Sequence, residues 1–292
     1  EGGYNENAMG MTIHLWLLLF YACIILVWNV YMSLKRKWVF LFRTVGMAGL
    51  LLLAFIYRSG EDGTGHIIPR WWGILGLIGW AYLFACIFFQ LCKKNMVLMF
   101  LAIVFCVVFY IAGKSSIVHE NPALRWISSQ AGNAAHTSVV LCGIVLSTIY
   151  FDTGTLKTNA RRFAEAGAFA LMLFVAGYLL RPHFTISKIY ATPTWCLYSA
   201  AICCVLFSML YWLIDIKKIS GWTNFFKPAA TNPLLTYIIP GIWYALFAVL
   251  HITVFPGSLK YGLPGLLWSA LFAILVMYLA KGLNALKIRL QL

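Results

Sequence analysis

Long apolar stretches alternate with short polar connections along the whole chain, and nine such stretches can be recognised. The hydrocarbon core of a bilayer is about 30 Å thick, so one helical crossing needs roughly 20 apolar residues. The stretches are continuous, whereas the strands of a membrane barrel alternate apolar and polar positions. We therefore predict an all-α fold, a polytopic transmembrane helix bundle of about nine spans, at approximately 11–33, 38–58, 71–92, 96–113, 136–151, 163–181, 195–214, 232–255 and 263–281.

Basic residues gather in every second connection. Fourteen of the 22 follow the odd-numbered spans, namely Lys35, Arg36, Lys37, Lys93, Lys94, Lys157, Arg161, Arg162, Lys217, Lys218, Lys227, Lys281, Lys287 and Arg289. Seven lie in the alternate connections, namely Arg58, Arg70, Lys114, Arg125, Arg181, Lys188 and Lys260. The positive-inside rule then predicts an N-terminus outside and a cytoplasmic C-terminus. We expect a multi-pass protein of the cell inner (plasma) membrane.

The formal net charge of this 292-residue chain is +14. Because the charge is divided into small clusters beside the spans, we expect membrane lipids as partners and no nucleic acid. The eight cysteines fall in or at the ends of spans, which is typical of packing residues, and we expect no metal. We predict a polar N-terminal remnant at 1–10, a single transmembrane helical domain at 11–281 and a cytoplasmic tail at 282–292.

Polar side chains with useful chemistry cluster in two connections predicted to lie outside. They supply carboxylate, imidazole, cation and stacking surface, which are the components of a carbohydrate or anion site. Interfacial anchoring is the alternative, because Trp and Tyr favour the headgroup region; for the 181–195 loop we favour function. The residues are His119, Glu120, Asn121, Arg125, Trp126, Asn133 and His136, and then Arg181, His183, Lys188, Tyr190, Thr192, Thr194 and Trp195.

Other polar or small residues lie within or beside the spans. Arg43 is inside the second span, where it either snorkels to the surface or binds an anionic ligand such as a phosphate. Asn232 precedes Pro233 and can cap the helix or reach into the bundle. Gly73, Gly76 and Gly79 favour close helix approach.

Several strings occur in a recognisable order between residues 40 and 255. Residues 69–82 are similar to an R-x-P-G-V-L-Q-R-x-x-x-x-Y helix, and 132–143 to a segment that begins G-T-x-N-S. Residues 186–195 are similar to an (I/V)-N-K-x-x-W-(T/S) loop, followed by Asp215 and by an entry to the next span at 225–237. Together they resemble the heparan-α-glucosaminide N-acetyltransferase-like family of membrane acyltransferases and its bacterial relatives.

The resemblance implies transfer of an acyl (acetyl) group from cytoplasmic acyl-CoA (acetyl-CoA) to an extracytoplasmic sugar or amino sugar. An imidazole would act as general base or transient acyl carrier. The family's H-x-x-W-x-G string does not occur here, and its Gln-Arg and Asn-Ser pairs are replaced by Gly76-Leu77 and Ala135-His136. We expect a segment preceding Glu1 to carry the missing histidine.

If an imidazole of this chain takes the place of the missing histidine, the catalytic candidates are His183 and His136. The motif matches place Lys188, Trp195, Asn232 and Tyr237 at substrate-binding positions, to which the outer loop adds Arg181 and Thr192. Arg43 and Asp215 are the cofactor-binding candidates. The alternative function is a sugar or anion transporter without covalent chemistry. Either function is compatible with a homodimer, and acyl transfer adds a sugar or glycan acceptor as a partner.

Overall fold

The computed structural model describes residues 3–32, 34–67, 74–93, 95–152, 157–252 and 261–290. Within these ranges the regular secondary structure is helical, apart from isolated β-bridges. Each predicted apolar stretch overlaps one long helix. These are α1 (Ile13–Trp28), α2 (Arg36–Ile56), α3 (Ile74–Cys92), α4 (Met96–Gly113), α5 (Arg125–Phe151), α6 (Asn159–Leu180), α7 (Pro193–Tyr211), α8 (Pro233–Val249) and α9 (Gly262–Ala285). Arg70, Gly73, Lys94 and Lys260 lie outside the described residues.

Six of the described helices are long and apolar enough to cross a membrane, namely α2, α4, α5, α6, α7 and α9. Three apolar helices are shorter, namely α1, α8 and the 76–92 part of α3. A helix of 16 residues, such as α1, extends about 24 Å, which is less than the thickness of the hydrocarbon core. The all-α helical bundle is confirmed for the described residues, whereas nine spans and their orientation stay predictions.

Helix α5 begins well before the predicted start of its span at residue 136. The residues from Arg125 onward are polar enough to resemble a loop, but Ala131 and Ala135 are buried and anchor this part of the helix. The hydroxyl of Thr137 donates to the carbonyl of Asn133 (2.7 Å), so its polarity is satisfied within the helix. The polar segment at 125–136 is therefore helical rather than part of an outer loop.

The chain divides into two compact units, and both contribute to the range 11–281 that we predict as one domain. Unit 2 (Arg70–Ile219) is built around α5, which packs against α3, α4 and α7, while α6 packs on α7. Its core contains fully buried side chains such as Met99, Leu141, Val145 and Leu173. Helix α5 is buried on several sides and is the least exposed of the candidate spans. It therefore sets the positions of the helices that pack around it.

Unit 1 comprises Glu1–Pro69 and Ser220–Leu292. Helix α1 packs against α2 and α8, and α8 packs against α9. A Cβ atom at Gly46 would lie 2.9 Å from the carbonyl oxygen of Cys23, so the absence of a side chain lets α1 and α2 approach closely. The segment at 4–9, predicted as a polar remnant, packs on the connection after α2: the backbone N–H of Asn5 donates to the carbonyl of Arg58 (3.1 Å).

Helix α4 identifies the two opposite ends of unit 2. The hydroxyl of Tyr110, near the end of α4, donates to the carbonyl of Tyr190 in the 181–192 loop (2.9 Å). Lys93 lies before the start of the same helix, whose 18 residues extend about 27 Å. Lys93 and the loop that carries Lys188 are therefore at opposite ends of the unit.

Candidate functional site

The amino-terminal half of α5 presents the imidazole of His136 at a half-buried position. Its Nδ1 atom lies 2.8 Å from the carbonyl oxygen of Gly132, one helical turn earlier. A carbonyl oxygen only accepts hydrogen bonds, so Nδ1 carries the proton. In the neutral ring Nε2 then holds a lone pair, which is the state that a general base requires.

The indole of Trp195 lies beside this imidazole. The two ring centroids are 6.0 Å apart, with an angle of 52° between the planes. Trp195 stands in the first turn of α7, which begins with Pro193, and Pro is favoured at the first helical positions. The structure therefore brings together two residues, His136 and Trp195, that are 59 positions apart and that the sequence placed in separate loops.

A small buried cluster packs against the indole of Trp195. Around Trp195 it consists of Tyr110, Ala131, Ala135, Ala191 and Cys196, with Val139 and Phe184 packed against it. The small side chains of Ala131 and Ala135 allow α5 to pack closely against α4 and the start of α7. Both the imidazole and the indole are carried by helices, on α5 and in the first turn of α7.

The 181–192 loop is held by internal hydrogen bonds. The hydroxyl of Thr192 is buried and accepts from the backbone N–H of Ser187 (3.0 Å). The hydroxyl of Thr194 donates to the carbonyl of Phe184 (2.8 Å). Thr192 therefore stabilises the turn from inside, and its predicted contact with a substrate stays a prediction.

The remaining loop candidates lie on the exposed surface of the same loop. Arg181, His183 and Lys188 are exposed, and they flank the highly exposed tip at Ile189 and Tyr190. Among the described residues, no hydrogen bond or ring contact joins His183 or Lys188 to His136. Of the two catalytic candidates, His136 has the more defined surroundings.

The other predicted site residues lie on other elements. Asp215 is exposed in the π-helical turn Trp212–Ile216 that follows α7. In unit 1, Arg43 is exposed on α2 and Tyr237 is 70% exposed on α8. Asn232 is fully buried, and its side-chain amide donates to the Oδ1 atom of Asn284 (2.7 Å). Asn284 was not predicted, because nothing in the sequence relates two asparagines 52 positions apart.

A cleft of about 610 Å³ runs along the continuation of the His136 face of α5. Steps of four, three and four residues lead from His136 to Val140, Gly143 and Ser147, which is the spacing of one helix face. Gly143 contributes open space, since nothing lies within 4 Å of the position where a Cβ atom would be. The described residues that line it are Phe89, Val140, Gly143, Ile144, Ser147, Thr148, Phe151 and Asp152.

The described residues include no group of three or more His, Cys, Asp or Glu side chains suited to a metal ion. The chain matches no protein-family model, no curated protein and no solved structure. Fold and site together define an all-α protein, with helices long and apolar enough to cross a membrane, that carries a half-buried imidazole beside an indole. The resemblance to membrane acyltransferases stays a prediction.

Proposed function

We propose that this protein is a membrane-bound acyltransferase of the cell inner membrane, with His136 as its general base. In this proposal an acyl group passes from acyl-CoA to a hydroxyl or amino group of a sugar. The observation that carries the proposal is the hydrogen bond from Nδ1 of His136 to the carbonyl of Gly132, which leaves Nε2 as an acceptor. An imidazole held in this tautomer is suited to removing a proton from a nucleophile.

The proposed step is a direct transfer. Nε2 of His136 takes the proton as the acceptor oxygen or nitrogen bonds to the acyl carbon. The carbon–sulfur bond of the thioester breaks, and the proton then passes to the CoA thiolate. The indole of Trp195, 6.0 Å from the imidazole, would provide an apolar surface for one face of the sugar ring.

The cleft along α5 supports the same proposal. Ser147 in the cleft and His136 are eleven residues apart on one helix, a distance of roughly 16 Å along its axis. The lining of the cleft is mainly apolar, with Phe89, Ile144 and Phe151 among the contributing side chains. Such a groove would admit the extended arm of an acyl thioester from one end of unit 2 toward His136.

The test uses the full chain in proteoliposomes, with labelled acetyl-CoA on the predicted cytoplasmic side and glucosamine on the other. His136→Gln, which removes the lone pair at Nε2, should lower the rate of acetyl transfer roughly 10²- to 10⁴-fold. His183→Gln is the matched control and should retain most of the activity. Trp195→Ala should raise KM for the sugar more than it lowers kcat.

Other outcomes separate the alternatives. Loss of activity in His183→Gln, with His136→Gln active, would move the base to the 181–192 loop and overturn the assignment of His136. No transfer to any sugar, together with uptake of labelled sugar that needs no acyl-CoA, would replace the acyltransferase with a permease. The cleft along α5 would in that case be part of the transport path.

A further inference from the structure

A second cleft, in unit 1, is lined mainly by basic and amide side chains. It lies where the carboxyl end of α9, the following tail and the short helix Lys227–Ala230 meet. Its volume is about 460 Å³, within the size range of small-molecule sites. The described residues that line it are Met32, Asn224, Lys227, Pro228, Thr231, Lys281, Asn284, Lys287 and Arg289. Four of these are cations, and none is Asp or Glu.

The tail that carries Lys287 and Arg289 is fixed by hydrogen bonds to distant segments. The backbone N–H of Arg289 donates to Oδ1 of Asn29 (2.8 Å), and its carbonyl accepts from the N–H of Val30 (2.8 Å). The backbone N–H of Leu290 donates to Oδ1 of the fully buried Asn232 (3.2 Å). The two cations are therefore attached to a backbone that is already ordered, which lowers the entropic cost of binding a ligand.

The hydrogen-bond polarity of Asn284 follows from the same buried amide. Because Oδ1 of Asn232 accepts from a backbone N–H, the nitrogen of that amide must be its donor. That nitrogen donates to Oδ1 of Asn284 (2.7 Å) and to the carbonyl of Ile288 (3.2 Å). Asn284 lines the cleft, and with its Oδ1 bonded to Asn232 its NH₂ group remains able to donate. A donor amide amid four cations is complementary to an anion with several acceptor oxygens.

We infer that this cleft binds a phosphate group, carried either by an anionic lipid headgroup or by a soluble phosphate compound. Lys and Arg side chains bind phosphate oxygens through charge-assisted hydrogen bonds, and the Asn284 amide adds a neutral donor. None of the described lining residues is Asp or Glu. The inference does not rest on acyl transfer, so binding without transferase activity would support it alone.

The experiment measures the thermal unfolding midpoint of the purified full chain in two arms at matched ionic strength. One arm titrates inorganic pyrophosphate in a neutral detergent. The other compares nanodiscs of phosphatidylcholine with and without phosphatidic acid. A saturable rise in the midpoint in the first arm identifies a soluble phosphate, and a rise in the second arm alone identifies a lipid headgroup.

Variants assign the effect to the cleft. Asn284→Asp keeps the acceptor for Asn232 but places a carboxylate among the cations. The saturable rise in the thermal unfolding midpoint should therefore disappear. Arg289→Gln and Lys281→Gln should each weaken binding about tenfold, the value of one charge-assisted hydrogen bond. Lys37→Gln, an exposed cation outside the lining, is the control and should respond like the wild type. No saturable rise in either arm, or an unchanged response in Asn284→Asp, would overturn the inference.

Discussion

Three lysines adopt the left-handed backbone conformation at the carboxyl ends of helices. The φ angles are 47° at Lys93, 59° at Lys218 and 64° at Lys287. Glycine is the usual residue here, because an L side chain costs roughly 1–2 kcal/mol in this conformation. A cation at this position interacts favourably with the carbonyl groups of the helix end and with anionic headgroups. We infer that these positions carry lysine because of its charge, although the left-handed conformation is less favourable for lysine than for glycine.

Lys218→Gly should therefore stabilise the protein by about 1 kcal/mol, since glycine adopts positive φ without strain. The comparison is Lys217→Gly, which removes the same charge from a residue with φ −78° in the right-handed helical region, together with the contact of its Nζ with the Trp212 ring (5.4 Å to the centroid). That change should destabilise by about 1 kcal/mol. Thermal unfolding in detergent measures both. A lower midpoint for Lys218→Gly would show that the charge matters more than the backbone conformation.

Thr192 illustrates why a polar residue in a predicted site does not always face a ligand. Its hydroxyl is buried and bonded to Ser187, whereas the sequence places it among substrate-binding candidates. Thr192→Val should leave the backbone N–H of Ser187 without its partner and cost about 1–3 kcal/mol of stability. Thr192→Ser retains the hydroxyl and should restore most of it. A valine variant with wild-type stability but a raised KM for the sugar would instead support a substrate contact.

At the scale of elements, the pattern of apolar residues located every long helix that the structure describes. The boundaries were less accurate where packing outweighs composition. The polar first half of α5 is helical because Ala131 and Ala135 pack into the unit, a contact that depends on residues such as Tyr110 in another helix. The short α8 ends at Val249, before the predicted end at 255, and His251 follows it with a positive φ of 54°.

The α1–α2 pair depends on Gly46. Gly46→Ala would place a methyl group 2.9 Å from the backbone oxygen of Cys23 and from side-chain atoms of Leu26 and Val27. Because the backbone oxygen cannot move aside without separating the helices, we expect a loss of about 1–3 kcal/mol. Gly167→Ala in α6 is the control, since its Cβ atom would meet nothing within 4 Å. It should be neutral or stabilise by up to about 1 kcal/mol, as is usual in a helix interior. Equal midpoints for the two variants would contradict close packing at Gly46.

At the scale of the whole molecule, the opposite ends of unit 2 make the predicted orientation testable. We expect Lys188→Cys to react with a membrane-impermeant maleimide in intact cells, and Lys93→Cys to react only after permeabilisation. The physical reason is the excess of basic residues on the Lys93 side, which the positive-inside rule assigns to the cytoplasm. The wild type supplies the background from its own eight cysteines. Reaction of both variants from the same side would overturn the predicted topology.

The sequence by itself determined that the chain is helical and apolar enough for a membrane, because helix formation in lipid depends on local composition and length. It also indicated the imidazole, indole and basic side chains that are candidates for functional sites. Only the tertiary structure decided that His136 lies beside Trp195, and that Asn232 orients Asn284 at the edge of a basic cleft. These two pairings join residues more than 50 positions apart, and which helices meet is decided by the packing of whole faces. A local sequence pattern therefore does not predict these contacts.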